Sequence, residues 1–428
     1  MMRVGGFYIQ FFRPFCLCFL VILFFFNTSI VFSNEYVPER RKDQFPKVPA
    51  YLLVPLPYSY PGVGEGFFLM GSFSNLYDTT TDFLAMYIVG DAGGEMFLLD
   101  EMPIIDERLY LNLSYQNIDR ALINNYKKRG MRGTSKNDYT LLDIGLSLDK
   151  SALVDLTFFD RRLDFFFSYT ENEFELQAIR ESNGDLVTEL DYRGKSFVQK
   201  LGVSIDLTDD YLDPKKGFRF VLTYQDVPSK QDQEPNYYTL DYNALLYLPM
   251  FKSDTLVFNY YQSDAHVRTK GDSNLTNIRD EIGMNCDVAD TACLQTEQEL
   301  VDIFVNQRTH GTASSLGGND RLRSYPQGRF NGGHSAFLGA EYRFNFKQEV
   351  TPFNYLLWKD VRTGVQLAFF AEMASVSETS GKIWNDIRYS YGTGARLVAG
   401  SGSVYRADVA FGDEGASFIV FFYYPWES

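Results

Sequence analysis

Over most of this chain, apolar and polar side chains alternate residue by residue. Leu109, Leu111, Leu113 and Tyr115 interleave with Arg108, Tyr110, Asn112 and Ser114. Leu201, Val203, Ile205 and Leu207 interleave with Lys200, Gly202, Ser204 and Asp206. The same pattern runs through Phe218–Gln225, Leu338–Phe346 and Tyr405–Phe411. Side chains of a strand point to opposite faces in turn, so a period of two predicts strands with one apolar face. A bundle of membrane helices is excluded, because it needs repeated apolar runs of about 20 residues. Disorder is excluded by 45% hydrophobic and 16% aromatic residues.

What the polar face carries decides between a soluble sandwich and a membrane wall. It holds Arg219, Glu341, Arg343, Glu372, Arg396, Arg406 and Asp408, while the other face is rich in Phe, Tyr and Leu. A closed barrel with a wet, charged lumen and an apolar outside accounts for both faces, and closure leaves no unpaired edge in lipid. Asn183-Gly184 and Asp213-Pro214-Lys215-Lys216-Gly217 are tight-turn signals between strands. Phe418, Val420, Phe422, Tyr424 and Trp426 fall on one face of a last strand, and Phe422, Tyr424 and Trp426 are expected to be the aromatic end read by insertion machinery. The expectation is an all-β fold, a transmembrane antiparallel β-barrel of about 16 strands over residues 61–428.

Residues 1–33 read as a signal peptide. Arg3 and Arg13 precede the apolar run Phe15–Phe26, and Val31-Phe32-Ser33 suits cleavage. Segment 34–60, with Pro38, Pro46 and Arg40-Arg41-Lys42, is expected to be a short periplasmic lead. Cys16 and Cys18 leave with the signal. Cys286 and Cys293 then remain, and in an oxidising compartment they are expected to form a loop disulfide rather than a metal site. A formal charge of −15 argues against a nucleic-acid partner.

Two loops stand out. Residues 117–137 suggest a short helix between Asp119 and Gly130, with Lys127, Lys128, Arg129 and Arg132 as a solvated basic patch. The second loop spans about 265–333, a length uncommon without a function. Thr296 with Glu299 resembles a capping box and predicts a helix beginning there, with Leu300, Ile303 and Phe304 on one face.

That loop also holds Gly317-Gly318-Asn319-Asp320-Arg321-Leu322-Arg323-Ser324-Tyr325-Pro326-Gln327-Gly328-Arg329-Phe330, and Glu341-Tyr342-Arg343-Phe344 follows. With Phe369-Phe370-Ala371-Glu372, Tyr391-Gly392, Arg396, Arg406-x-Asp408 and Pro57-Tyr58-Ser59-Tyr60-Pro61, it resembles the bacterial surface-antigen family, the barrel shared by the outer-membrane assembly factors BamA and TamA. The resemblance implies that the sixth loop folds into the lumen. Arg323, Ser324, Tyr325, Gly328, Arg329 and Phe330 would form its locking motif. Glu341, Arg343, Glu372 and Arg396 would be its lumen partners. Ser324 stands where the family has Gly, and Glu372 where it has Asp.

The family's periplasmic POTRA domains have no room in the roughly 30 residues between Asn34 and the first strand, so a short, barrel-only member is expected. By resemblance the chain would sit in the outer membrane of a Gram-negative bacterium. It would meet lipid, lipopolysaccharide and the insertion machinery there, and assist protein or lipid assembly or translocation, with its client unknown. A passive pore or a structural surface antigen with a plugged lumen is the alternative. No enzyme is expected: there is no Gly-x-Ser-x-Gly elbow, and His266, His310 and His334 are the only histidines. No cofactor, metal or catalytic residue is expected either.

Overall fold

The computed structural model describes residues 49–426, apart from 106, 127, 133–134, 212, 230–233, 252, 285, 349–352, 362 and 400–403. The expected signal peptide lies outside the described residues, as does 34–48 of the expected lead. The remainder of that lead differs from expectation. Ala50–Tyr60 is already the first strand, because Tyr51, Leu53, Pro55 and Pro57 alternate outward against Leu52, Val54, Leu56 and Tyr58.

The strands in chain order are β1 (Ala50–Tyr60), β2 (Gly64–Ser74), β3 (Asp82–Gly90), β4 (Gly93–Ile105), β5 (Leu109–Tyr126), β6 (Tyr139–Phe158), β7 (Leu163–Glu181), β8 (Leu186–Asp206) and β9 (Gly217–Val227). They continue with β10 (Asn236–Met250), β11 (Asp254–Thr269), β12 (His334–Gln348), β13 (Phe353–Tyr355), β14 (Trp358–Val361), β15 (Thr363–Ser377), β16 (Arg388–Ala399), β17 (Val404–Gly412) and β18 (Gly415–Phe422). Every pairing is antiparallel, and β12 pairs directly with β15. The wall is therefore a closed 16-strand barrel, with β13 and β14 as a side hairpin.

Alternation sorts the wall into two faces. Phe67, Leu69 and Phe73 of β2 are exposed while Phe68 and Met70 between them are buried. On β7, Phe165, Phe167 and Tyr169 point out, and on β8, Leu201 and Ile205 do the same. This outward apolar band is what lipid requires. Tyr169 stacks on Phe197 with ring centroids 5.9 Å apart, and on the same faces beyond them stand Glu171 and Lys195, an ion pair. Aromatic residues thus close the band where charge begins. No described helix is long and apolar enough to cross a membrane.

Strand lengths are uneven. β6, β7 and β8 have 20, 19 and 21 residues, against 9 for β17 and 8 for β18. The β5–β8 wall therefore continues past the apolar band as a four-stranded fin. The helix expected between Asp119 and Gly130 is absent: Asp119 lies inside β5, whose neighbour β6 supplies ladder partners up to Tyr126.

The joint between β1 and β18 is the weakest. Among the described residues only Ser59 and Val420 are ladder partners there. Backbone groups of residues two apart in a strand point the same way. The Leu53 N–H donates to the Leu357 carbonyl at 3.2 Å, and the Pro57 carbonyl accepts the Tyr405 hydroxyl at 2.7 Å, so Pro55 and Pro57 face the joint. Neither proline has an N–H to give it. The β13–β14 hairpin covers the far end of β1, pairing Tyr51 with Lys359 and Leu52 with Trp358.

Candidate functional site

The long loop between β11 and β12 carries α1 (Leu275–Ile282) and α2 (Thr291–His310) before entering the lumen. The expected start of α2 at Thr296 is corrected. Asp290 caps the helix by accepting the Cys293 N–H at 3.0 Å, and Thr296 is already buried inside it. Cys286 and Cys293 are bridged, with Cα atoms 5.5 Å apart. The bridge joins the segment before α2 to its first turn, and both cysteines pack with Ile179, Val187 and Leu190 of the fin.

Past α2 the chain turns inward. Leu316 and Phe330 exchange backbone hydrogen bonds of 2.9 and 3.0 Å, closing the motif into a tongue. At its tip Arg323 is fully buried. Its Nε donates to Glu372 Oε1 at 2.8 Å, and its backbone N–H to Glu372 Oε2 at 2.9 Å. Its Nη1 donates to Glu341 at 3.0 Å and Asp408 at 3.1 Å. The guanidinium lies 3.4 Å from the centre of the Phe370 ring, a cation–π contact. Burial alone would lower its pKa, but Glu372, Asp408 and Glu341 together reverse this and hold it above the ordinary value.

Of the other expected partners, Arg343 and Arg396 do not touch Arg323. They hold Glu341 instead, Arg343 Nε at Oε1 and Arg396 Nη2 at Oε2, each at 3.0 Å. Arg396 also reaches Asp408 at 2.5 Å, and Arg406 reaches the same carboxylate at 2.7 Å. Arg406 then donates to the Asn319 carbonyl at 2.6 Å, returning to the tongue. Asp408 and Phe370 are the contacts that the motif alone does not indicate. The spacing Arg406-x-Asp408 was the available signal, since it puts both side chains on the inner face.

A charged lumen was expected to be wet. Here Arg323, Glu341, Arg343, Arg396, Arg406 and Asp408 are all excluded from solvent, because the tongue fills the space they line. Charges removed from water must pair, and these carboxylates and guanidiniums do so in a shared network.

Ser324 fits where glycine would be usual for two reasons. The positive φ of the tip falls on Leu322, at 56°, and not on Ser324. Room for the hydroxyl comes from Gly412 of β17, where an added Cβ would lie 2.3 Å from Ser324 Oγ. Ser390 and Ser417 then bond the Ser324 N–H and carbonyl at 3.0 and 2.9 Å. Tyr325 and Phe330 meet edge to face at 5.0 Å, and burial pushes the Tyr325 hydroxyl up to about 12. Gly328 takes φ 65° in the turn between them. Arg329 grips Glu414 through two bonds of 2.7 and 3.1 Å.

The 127–137 basic patch is corrected in part. Arg129 is buried rather than solvated. It forks onto Glu378 at 2.7 and 3.0 Å and bonds the Gly311 carbonyl, so this loop clasps the tongue from outside. Arg132 is exposed and pairs with Asp386.

The expected aromatic end is corrected more deeply. β18 stops at Phe422, which is buried against Phe68 and Tyr405. Tyr423 then takes φ 63° and the chain turns into the lumen. Tyr424 lies under the Arg343 guanidinium at 3.8 Å, with its hydroxyl 2.9 Å from Asp213. Trp426 is fully buried, its indole N–H 3.3 Å from Glu372 Oε1 and its carbonyl held by Asn243 at 2.8 Å. Its ring packs on Gly339, where an added Cβ would come within 2.6 Å. One carboxylate oxygen therefore receives both the tongue and the tail.

The sequence matches no protein-family model and no curated protein. Similar solved structures include BamA from Haemophilus ducreyi lacking POTRA domains 1–3, at 10% identity and a TM-score of 0.46, covering 88% of this chain and 69% of that one. CdiB from Escherichia coli is similar at 9% identity and a TM-score of 0.48, covering 88% of this chain, which spans 63% of CdiB. In fold, the chain is a closed antiparallel barrel of sixteen strands with the long β11–β12 loop inside it.

Proposed function

We propose that this barrel resides in the outer membrane of a Gram-negative bacterium and assists the assembly or translocation of protein or lipid, acting at its β1–β18 joint. The observation that carries the reading is the contrast between lumen and joint. Tongue and tail fill the lumen around Arg323 and Trp426, while among the described residues the β1–β18 ladder has the single pair Ser59–Val420, helped by side-chain bonds from Ser59 and Tyr405. A route along the axis would require the buried charge network to break, and a route sideways only a short ladder. Lipid, lipopolysaccharide and insertion machinery are the partners such a site would meet. The role requires no catalytic residue.

A Ser59→Cys/Val420→Cys disulfide tests it. Liposomes carrying the reduced barrel are expected to accelerate insertion of a client barrel, and oxidation to abolish the gain. No acceleration in either state would refute the reading. Large, stable conductance in planar bilayers would instead support a passive pore.

A further inference from the structure

The β13–β14 hairpin is attached at one place in the wall and holds another. It is inserted between β12 and β15 at the rim opposite the long loop, and a single residue separates Val361 of β14 from Thr363 of β15. Yet β14 is paired with β1, and in the wall β16, β17 and β18 lie between β15 and β1. Tyr51 faces Lys359 and Leu52 faces Trp358 in an antiparallel ladder. The Leu53 N–H donates to the Leu357 carbonyl at 3.2 Å, and the Trp358 indole N–H donates to the Leu53 carbonyl at 2.9 Å. One edge of β1 is thus shared, with Ser59 held by β18 and residues 51–53 held by the hairpin.

This arrangement makes the hairpin a bridge over the joint. Parting β1 from β18 carries β1 away from β17, β16 and β15 as well, because those strands are zipped to one another in continuous register. A hairpin fastened covalently to β15 and gripping β1 spans the same gap, so the gap cannot widen while the grip lasts. The hairpin matters here because the joint itself is sparsely bonded: Pro55 and Pro57 bring no N–H to it. The grip is also suited to being undone. β13 and β14 have three and four residues, and a two-stranded hairpin of that size is not stable alone in water. Its tip leaves Leu356 81% and Leu357 51% exposed, so it gains little from burial.

We propose that the β13–β14 hairpin is a strap across the β1–β18 joint. Latched on residues 51–53 it keeps the wall shut, and it must release β1 before the wall opens sideways. Joint and strap act in series: unzipping Ser59 from Val420 frees one end of the shared edge, and unlatching the hairpin frees the other. The proposal rests on the reading of this joint as the site of action.

The test uses the full barrel in liposomes, with insertion of a client barrel as the readout and heat-dependent migration on a semi-native gel as the check of folding. Tyr51→Cys/Lys359→Cys places two cysteines at opposed ladder positions within disulfide reach. It fastens the strap and leaves the joint untouched. Oxidation is expected to abolish the acceleration and reduction to restore it, while wild-type barrels taken through the same steps keep theirs. Trp358→Ala removes the indole bond to Leu53 and should raise the insertion rate several-fold. If that variant does not fold, Trp358→Phe keeps a ring, drops the N–H, and should raise the rate in the same direction. Full acceleration by the oxidised strap variant, when the oxidised Ser59→Cys/Val420→Cys barrel has none, would overturn the proposal and leave the joint as the site of action. A rate unchanged or lowered by loss of the indole bond would also overturn it. Reduced barrels that accelerate nothing would overturn the reading of the joint itself, and the strap with it.

Discussion

The two sides of this barrel treat their inner faces and edges in opposite ways. From β11 through β18 the strands are short to moderate, their inner side chains are buried charges, and the wall ends at an edge, β1, blunted by Pro55, Pro57 and a covering hairpin. From β5 to β8 the strands are long, run past the apolar band, and pack the disulfide-bridged loop against Ile179, Val187 and Leu190. The difference teaches that the two sides of the wall secure their ends by different means. Where pairing is unwanted, proline removes the donors. Where the strands overrun the band, a covalently bridged loop packs on them instead.

That contrast can be broken most forcefully at the lock. Arg323→Ala leaves Glu372, Glu341 and Asp408 short of a buried cation, and should cost about 3–5 kcal/mol. The temperature at which the folded band is lost on a semi-native gel should fall clearly, and an unchanged transition would mean that the tongue is not a structural lock. Trp426→Ala removes a fully buried indole, with an expected loss of about 3 kcal/mol by the same assay. Wild-type behaviour there would put the tail outside the lumen. Gly412→Ala forces a methyl against Ser324 Oγ and should cost about 1–3 kcal/mol. Adding Ser324→Gly should recover part of it, and strict additivity of the two changes would show that they do not touch.

Two smaller effects sharpen the comparison of edges. Pro55→Thr with Pro57→Thr returns two donors to β1 and should make detergent-solubilised barrels dimerise in size-exclusion chromatography. An unchanged elution would credit the hairpin, not the prolines, with blunting the edge. Glu189→Lys/Asp191→Lys on the fin should move the gel transition least, within about 0.5 kcal/mol, because both side chains are exposed.

What was legible in the sequence follows from what alternation encodes. Period two located the wall strands and put Glu341, Glu372, Arg396 and Asp408 on one face. It could not say which strands align side by side, so the convergence of β12, β15 and β17 on Arg323 had to come from the register. The tail misled because Phe418 to Trp426 keeps the period, while the turn at Tyr423 uses a positive φ on a residue that does not advertise one. The fin was missed because its strands alternate like the rest, and only their length sets them apart. For α2, a plausible Thr–Glu cap hid the real one at Asp290, more than a turn and a half earlier.

The carboxylates around Arg323 come from three strands, each in a defined register with its neighbour. A slip of one residue in any of these ladders would turn a carboxylate from the lumen to the lipid. The buried arginine would then lack its counter-charges, and the tongue could not dock. The network thus acts as a proofreader of assembly: a barrel zipped in the wrong register stays open at its centre, and only a correctly aligned wall can swallow its own loop.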